Sequence, residues 1–505
     1  MTDSTDTPAG DKPCTRALLV TLYVLLAVLF LRTIWGMWDV RDITSGDTSS
    51  YYITALEFSK KLVCNIAWSP LYTSFLGSLR WLNPDPYFVI IAHRILILAA
   101  ITVLLFEVSR RLLTPVIAWF ITAWWLALPI DFDALYEVHL FAVIPVLIFW
   151  LLLVWRPSLR VRGICVGWLV LTIFLVRNEI LIGLGMFGAA SVAFDLWQIW
   201  RREVEFRPLR YLAAYGLPII VACGIIGITY WRSNDKFPHL NNTLSSKHTL
   251  NVSQIYCFGY SQRHPEYKDN PWIDYHALMI RNFGKPTLTM KEAIKTNPKA
   301  MSEHFWWNAQ LIPSGLQVTL FNCRSGDFNP DYANTIVNKP VAITLSLLYL
   351  AIVAAGIVLV VRNIQYWWRE WLSRRAWAIV GIISVCATVA VVMIMQRPRP
   401  SYMFAQTLAL MLLGGFSLQV ILFHLRLRFC WRKPALVLAA ATALLIPRFY
   451  VVASPEPAKP SANDSAAPKK KKIHRTLRVD ARPLLESLRL LQPYRDRLAH
   501  GETKA

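Results

Sequence analysis

Apolar runs of about twenty residues recur along nearly the whole chain, and short polar turns separate them. About eleven such runs predict membrane spans, at residues 17–35, 87–108, 113–130, 138–155, 163–176, 180–200, 211–231, 340–361, 376–395, 403–424 and 434–452. No ten-residue alternation of apolar and polar positions accompanies them, which favours an all-α polytopic bundle over an outer-membrane barrel. Two polar stretches are too long to be turns. In the first, 36–86, residues 48–62 suit a short helix at the membrane surface and Trp68-Ser69-Pro70-Leu71-Tyr72 breaks it. The following 71–82 is apolar but too short to cross. The second, 232–339, is a large loop. Pro447 and Arg448 interrupt the last run, so the side on which the tail lies stays open. Within the tail, 453–472 reads as a linker and 480–498 as an amphipathic helix. The expected organisation is thus 1–16 as a short polar terminus, 17–231 as an amino-terminal membrane module, the 232–339 loop, 340–452 as further spans, and 453–505 as a basic tail.

Composition agrees with the pattern. The chain is 55% hydrophobic and 17% charged, against roughly a quarter charged in soluble proteins. Its net charge of +22 would suggest nucleic acid in a soluble protein. Here the basic residues collect in alternate short loops, which sets orientation, so nucleic acid is not an expected partner. Arg110/Arg111, Arg156/Arg160/Arg162, Arg201/Arg202/Arg207/Arg210, Arg362/Arg369/Arg374/Arg375 and Arg426/Arg428/Arg432/Lys433 mark the cytoplasmic side. The 36–86 loop, the 131–137 turn, the turn at Arg177, the 232–339 loop and the turn from Gln396 to Tyr402 then face outward. The eight cysteines show no CxxC spacing, which argues against zinc; Cys257 and Cys323 are either a disulfide or two free thiols.

The candidate chemistry gathers in those outward turns. Asp47, after Gly46 at a loop-to-helix transition, suits a base that accepts a hydroxyl proton, and equally suits a helix N-cap. Asp39 and Asp42 read as solvated loop acids. Asp131, Asp133, Glu137 and His139 stand at the mouth of an apolar run, where unpaired charge is expensive. Glu137 either pairs with His139 or an arginine, or joins a metal site; whether a divalent ion is needed stays open. Arg177 and Glu179 either satisfy each other or face a cleft. Arg397 and Arg399 suit a lipid phosphate or ordinary snorkelling to headgroups. Arg94, beside His93, sits where headgroup contact is the simpler reading. His264, His304, Trp306 and Trp307 in the large loop suit sugar or partner binding, and suit a small folded core better.

The run Gly46-Asp47…Tyr51-Tyr52…Ala55, then Trp68-Ser69-Pro70-Leu71-Tyr72, then His93-Arg94-Ile95-Leu96 through Arg110-Arg111-Leu112, resembles the amino-terminal half of C-type membrane glycosyltransferases. These include protein O-mannosyltransferases and aminoarabinose lipid A transferases. The likeness spans residues 15–200, with Arg399 and Tyr402 similar to a late arginine–tyrosine element. It departs at Thr48, where family members often carry a second acid, and in the large central insertion. The resemblance implies transfer of a sugar from a polyprenyl-phosphate donor to a lipid, glycan or protein acceptor. Asp47 would be the catalytic or nucleophile-orienting acid, and Glu137 would assist in the cleft. Arg94, His139, Arg177, Glu179, Arg397, Arg399 and Tyr402 would bind substrate. The expected setting is a bacterial cytoplasmic membrane, with the active face outside. The rival reading is a transporter or flippase, which would place key polar residues in mid-span.

Overall fold

A computed structural model describes residues 16–35, 46–128, 137–203, 205–236, 240–330 and 335–425, leaving aside the side chains of 46–49, 137, 236 and 240–245. Among the described residues every regular element is helical, and a single isolated bridge joins Arg324 to Val337. The helices are α1 (Arg16–Ile34), α2 (Gly46–Lys61), α3 (Pro70–Leu82), α4 (Pro86–Leu112), α5 (Pro115–Ala127), α6 (Glu137–Trp155), α7 (Leu159–Leu175), α8 (Leu181–Trp200), α9 (Leu217–Lys236), α10 (Leu240–Arg263), α11 (Tyr275–Phe283), α12 (Met290–Thr296), α13 (Pro298–Phe321), α14 (Lys339–Arg362), α15 (Ser373–Met395) and α16 (Phe404–His424).

Local chemistry sets many of these starts. Asp85 caps α4 by accepting from Tyr87 N, and Pro86 fills the first turn, where no N–H partner is needed. Ser158, Asn297 and Asn338 cap α7, α13 and α14 in the same way, and Thr289 with Glu292 forms a full capping box on α12. The break at Trp68–Pro70 is sharp because Ser69 takes a left-handed conformation, φ 49°, before Pro70 opens α3.

Eight helical segments are long and apolar enough to cross a membrane: Arg16–Ile34, Pro86–Leu112, Val138–Trp155, Asn178–Trp200, Pro208–Asp235, Lys339–Arg362, Ile364–Met395 and Phe404–His424. Of the eleven expected spans, 113–130 forms a shorter helix of 13 residues, α5, and 163–176 forms a 17-residue helix, α7. The run at 434–452 lies outside the described residues, as do the linker and the helix expected in the tail. The span expected at 376–395 begins earlier, at Ile364, and runs through a π-helical turn at Trp368–Leu372.

Burial separates two kinds of helix. In α4 and α6 at least half of the spanning window is buried, and α4 packs against both α5 and α6 around Trp119, Trp125 and Trp150. The spans of α9 and α14 are only 11% buried and display Leu217, Ile220, Ile228, Leu347 and Leu350 outward. Water would penalise such faces; lipid does not. The chain is therefore an integral, multi-pass membrane protein, helical throughout its described regular elements.

Helix α7 lies against α9 at backbone distance. Gly163 and Gly167 form a GxxxG pair facing the carbonyls of Ala214 and Pro218, where α9 is entered through a π-helical turn, Leu212–Gly216. A Cβ at Gly163 would stand 1.8 Å from the Ala214 oxygen, so no larger residue fits.

The bundle has two distinct ends. At one, here the basic end, Trp371 Nε1 donates to Leu112 O (2.8 Å) and Arg375 Nε to Arg111 O (3.3 Å). At the other, the site end, Ser69 Oγ donates to Val176 O (2.9 Å) and Trp124 Nε1 to Leu320 O (2.8 Å). Helices α10–α13 form a lobe on the site end, with a small core of Tyr256, Cys257, Leu278, Met279, Phe283 and Met301. Helix α13 lies across the site ends of α15 and α5, and Asn308 Nδ2 donates to the carbonyls of Ile394 (2.9 Å) and Gln396 (3.0 Å). Buried His304 belongs to this docking; burial, then the nearby Arg263 charge, pulls its pKa down to about 3. Cys257 and Cys323 are both buried free thiols, so the disulfide alternative falls.

Candidate functional site

A cleft opens at the site end where α6 begins, α7 turns into α8, and α15 turns into α16. Its enclosed volume is small, about 70 Å³. Ala142, Val143 and Val146 of α6 form one wall, and Val385, Thr388, Val389 and Val392 of α15 form another. The wall of α15 follows helical spacing, 385–389–392, so one face of one helix supplies it. The polar groups of its lining are His139, Arg177, Glu179, Thr388, Ser401 and Tyr402.

The turn between α7 and α8 holds the first arginine. Arg177 Nε donates to Glu179 Oε2 (3.0 Å), and Nη2 donates to Oε1 of the same carboxylate. Its Nη1 lies 3.2 Å from His139 Nε2. Arginine has no acceptor, so His139 Nε2 must accept, which leaves that imidazole neutral with its proton on Nδ1. The 3-10 turn Pro400–Tyr402, closed by Tyr402 N donating to Arg399 O (2.9 Å), brings the other arginine. Both guanidinium groups approach the Tyr402 ring, with Arg177 Cζ 5.3 Å and Arg399 Cζ 5.9 Å from its centroid. His139 meets the same ring edge-on at 4.9 Å, and Arg399 is close enough to act on His139 electrostatically. Among the described side chains the group holds two guanidinium groups and one carboxylate.

Of the residues expected to bind substrate, His139, Arg177, Glu179 and Tyr402 line this cleft and Arg399 adjoins it. Arg397 turns away: its Cζ sits 3.6 Å over the Phe258 ring, and Nη2 donates to Asn329 O (3.1 Å). It ties the α10–α13 lobe to the turn that carries Arg399. Arg94 does not line the cleft. It is fully buried in α4, so the headgroup alternative for it falls. The side chains of Asp47 and Glu137 lie outside the described ones, and Asp39, Asp42, Asp131 and Asp133 lie outside the described residues. Their helices nonetheless bring both backbone positions to the site end. Glu137 opens α6 two residues before His139, and Asp47 is one turn before Tyr51 in α2. Tyr51 packs on Trp68 (5.2 Å) and Tyr72 (5.3 Å).

Ser401, Thr388 and the valines of α15 carried no expectation from sequence. The signal for the valines was a β-branched stripe at helical spacing inside an apolar run, which reads the same as lipid-facing or core. Among the described residues no group of three or more His, Cys, Asp or Glu is arranged to hold a metal ion. Glu179 and His139 are both committed to Arg177.

No protein-family model, curated protein or solved structure matches the chain.

Proposed function

We propose that this protein is a membrane glycosyltransferase that moves a sugar from a polyprenyl-phosphate donor to an acceptor on the extracytoplasmic side. The observation that carries the reading is the cleft itself: Arg177 in its lining and Arg399 beside it, both against the Tyr402 ring, and walls rich in β-branched side chains. That is the complement of an amphiphile with an anionic head and a branched hydrocarbon tail. The arginine-rich turns at the opposite end support an outward-facing cleft.

In this reading Arg177 and Arg399 neutralise the phosphate, which makes it a better leaving group. Asp47 accepts the proton of the acceptor hydroxyl while the oxygen attacks the anomeric carbon; the carbon–oxygen bond to phosphate breaks, and the lipid phosphate departs. Glu137 assists. A single displacement of this kind inverts the anomeric centre. The test uses the full chain in nanodiscs, supplied with radiolabelled polyprenyl-phosphate hexoses and pentoses and a crude membrane acceptor fraction. Label should appear on the acceptor with the wild type and fall at least about a hundredfold with Asp47→Asn, the scale on which a general base acts. Unchanged transfer by Asp47→Asn would sink the assignment of the base. Movement of the labelled lipid across the bilayer without transfer would give the cleft to a flippase instead.

A further inference from the structure

An arginine presents five N–H donors in a fixed fork, and a phosphate fits that fork in the same way a carboxylate does. In the cleft the fork of Arg177 is already filled. Nε and Nη2 face the two oxygens of Glu179, and Nη1 faces His139. A phosphate cannot take the bidentate position while Glu179 holds it. Yet the pair does not look like permanent cement. Both residues belong to one turn, two positions apart, and both line the cleft with side chains 17% and 18% exposed. Glu179 can therefore leave the fork by rotating its own side chain, with no helix moved.

We propose that Glu179 is a resident anion for Arg177: it fills the guanidinium fork while the cleft is empty, and the phosphate of an incoming lipid displaces it. The inference rests on the reading of the cleft as a lipid-phosphate site. The exchange is physically economical. An uncompensated cation at the edge of a bilayer is expensive, and Glu179 removes that cost in the empty state. A sugar phosphodiester carries one negative charge, so it replaces the carboxylate one for one at Arg177. The freed carboxylate then stands in the cleft beside the reacting end of the donor, next to Tyr402 and neutral His139. Glu179 thus sets a threshold: a ligand must compete with an internal anion, which rejects neutral lipids and weakly anionic heads.

The experiment measures binding, not turnover. The full chain in nanodiscs is titrated with polyprenyl phosphate, with inorganic phosphate and with phosphatidylglycerol, using the wild type, Glu179→Gln, Glu179→Asp, Arg177→Gln and the Arg177→Gln/Glu179→Gln double variant. Glu179→Gln should bind polyprenyl phosphate about tenfold tighter, as removal of one like charge at a part-buried site implies. Glu179→Asp, with a shorter reach, should gain less. The double variant should bind no tighter than Arg177→Gln, because the gain needs the arginine. Unchanged or weaker binding by folded Glu179→Gln and Glu179→Asp overturns the inference and leaves the donor site standing. If the wild type and every variant fail to bind polyprenyl phosphate, the reading of the cleft falls together with the inference. An equal gain for phosphatidylglycerol supports the displacement but makes the displacing anion an ordinary bilayer headgroup.

Discussion

The α7–α8 hairpin carries an arginine–carboxylate pair at each of its ends. At the site end Arg177 pairs with Glu179 across a turn, at the mouth of the cleft. At the basic end Arg162 of α7 pairs with Asp195 of α8, 33 residues away. The chemistry is the same and the surroundings are opposite. Tyr215 donates to the second oxygen of Asp195 (2.8 Å), and the Arg162 guanidinium rests against two rings, Trp377 (4.4 Å) and Phe194 (5.1 Å), which themselves meet edge to face. Both side chains are under a tenth exposed, and neither lines the cleft. Three helices and the turn at Tyr215 close around that pair. The other has protein on one side and open space on the other. One pair holds helices together, and the other keeps a place for something else.

That contrast is broken most severely by removing half of the enclosed pair. Asp195→Ala would leave the Arg162 cation buried without its counter-ion, a loss of about 3–5 kcal/mol. The expected outcome is poor recovery from the membrane and a large drop in thermal unfolding temperature, by fluorescence scanning in detergent. A fully stable Asp195→Ala protein would mean that the two pairs are not different in kind.

Arg177→Gln is the matching cut at the other end. Glutamine keeps a hydrogen-bond donor for Glu179, and the site opens to the cleft, so stability should fall by only about 1 kcal/mol. Affinity for polyprenyl phosphate should fall by about a hundredfold, as loss of a charge-assisted bidentate contact implies. The pattern to look for is thus crossed: Asp195→Ala costs folding, Arg177→Gln costs binding. Equal losses of stability in both variants would erase the distinction.

His304 sharpens the comparison by showing burial without a counter-ion. Its neighbours are Asn308, whose amide donates to Nε2, and Arg263, and its pKa is pulled down to about 3. In the unfolded chain a histidine takes up a proton near its ordinary 6.5, while the folded lobe refuses it. Stability is therefore fully present above about pH 6.5 and is lost as pH falls toward 3, by up to about 1.4 kcal/mol per pH unit. His304→Gln should flatten that dependence in unfolding scans between pH 7 and pH 4.5. An identical slope in the variant would assign the acid sensitivity elsewhere.

Spans were legible wherever a twenty-residue apolar run met a capping residue, as at Asp85-Pro86 and Asn338. Length was less legible at α5 and α7, whose helices of 13 and 17 residues are shorter than the other spans, because apolarity does not reveal where a chain turns. His139, Arg177, Glu179 and Tyr402 were legible one at a time, since charge at the mouth of an apolar run is costly enough to need a reason. Their meeting around one ring was not legible, because α6, the α7–α8 turn and the α15–α16 turn are brought together only by tertiary packing. Arg397 differs from Arg399 by two positions, yet the intervening turn sends it to Phe258. Arg162 was counted with the loop cations that set orientation, although it is the fourth residue of α7 and buried. A signal for it existed: Asp195 is the one acid inside the apolar run 180–200, and such an acid needs a partner.

The smallest expected effect comes from a third pair that shares the spacing of Arg177 and Glu179. Glu205 and Arg207 also stand two residues apart, and Arg207 Nη2 donates to Glu205 Oε2 at 2.8 Å. Here the side chains are 74% and 68% exposed, so water and salt screen the attraction and the two groups lose conformational freedom to meet. Glu205→Gln should change stability by no more than about 0.5 kcal/mol. It should leave polyprenyl-phosphate affinity unchanged, in contrast to Glu179→Gln with the same chemistry at the same spacing. A gain in lipid-phosphate affinity from Glu205→Gln equal to that from Glu179→Gln would show that any lost acid raises attraction for an anionic lipid, and the cleft would lose its claim to be special.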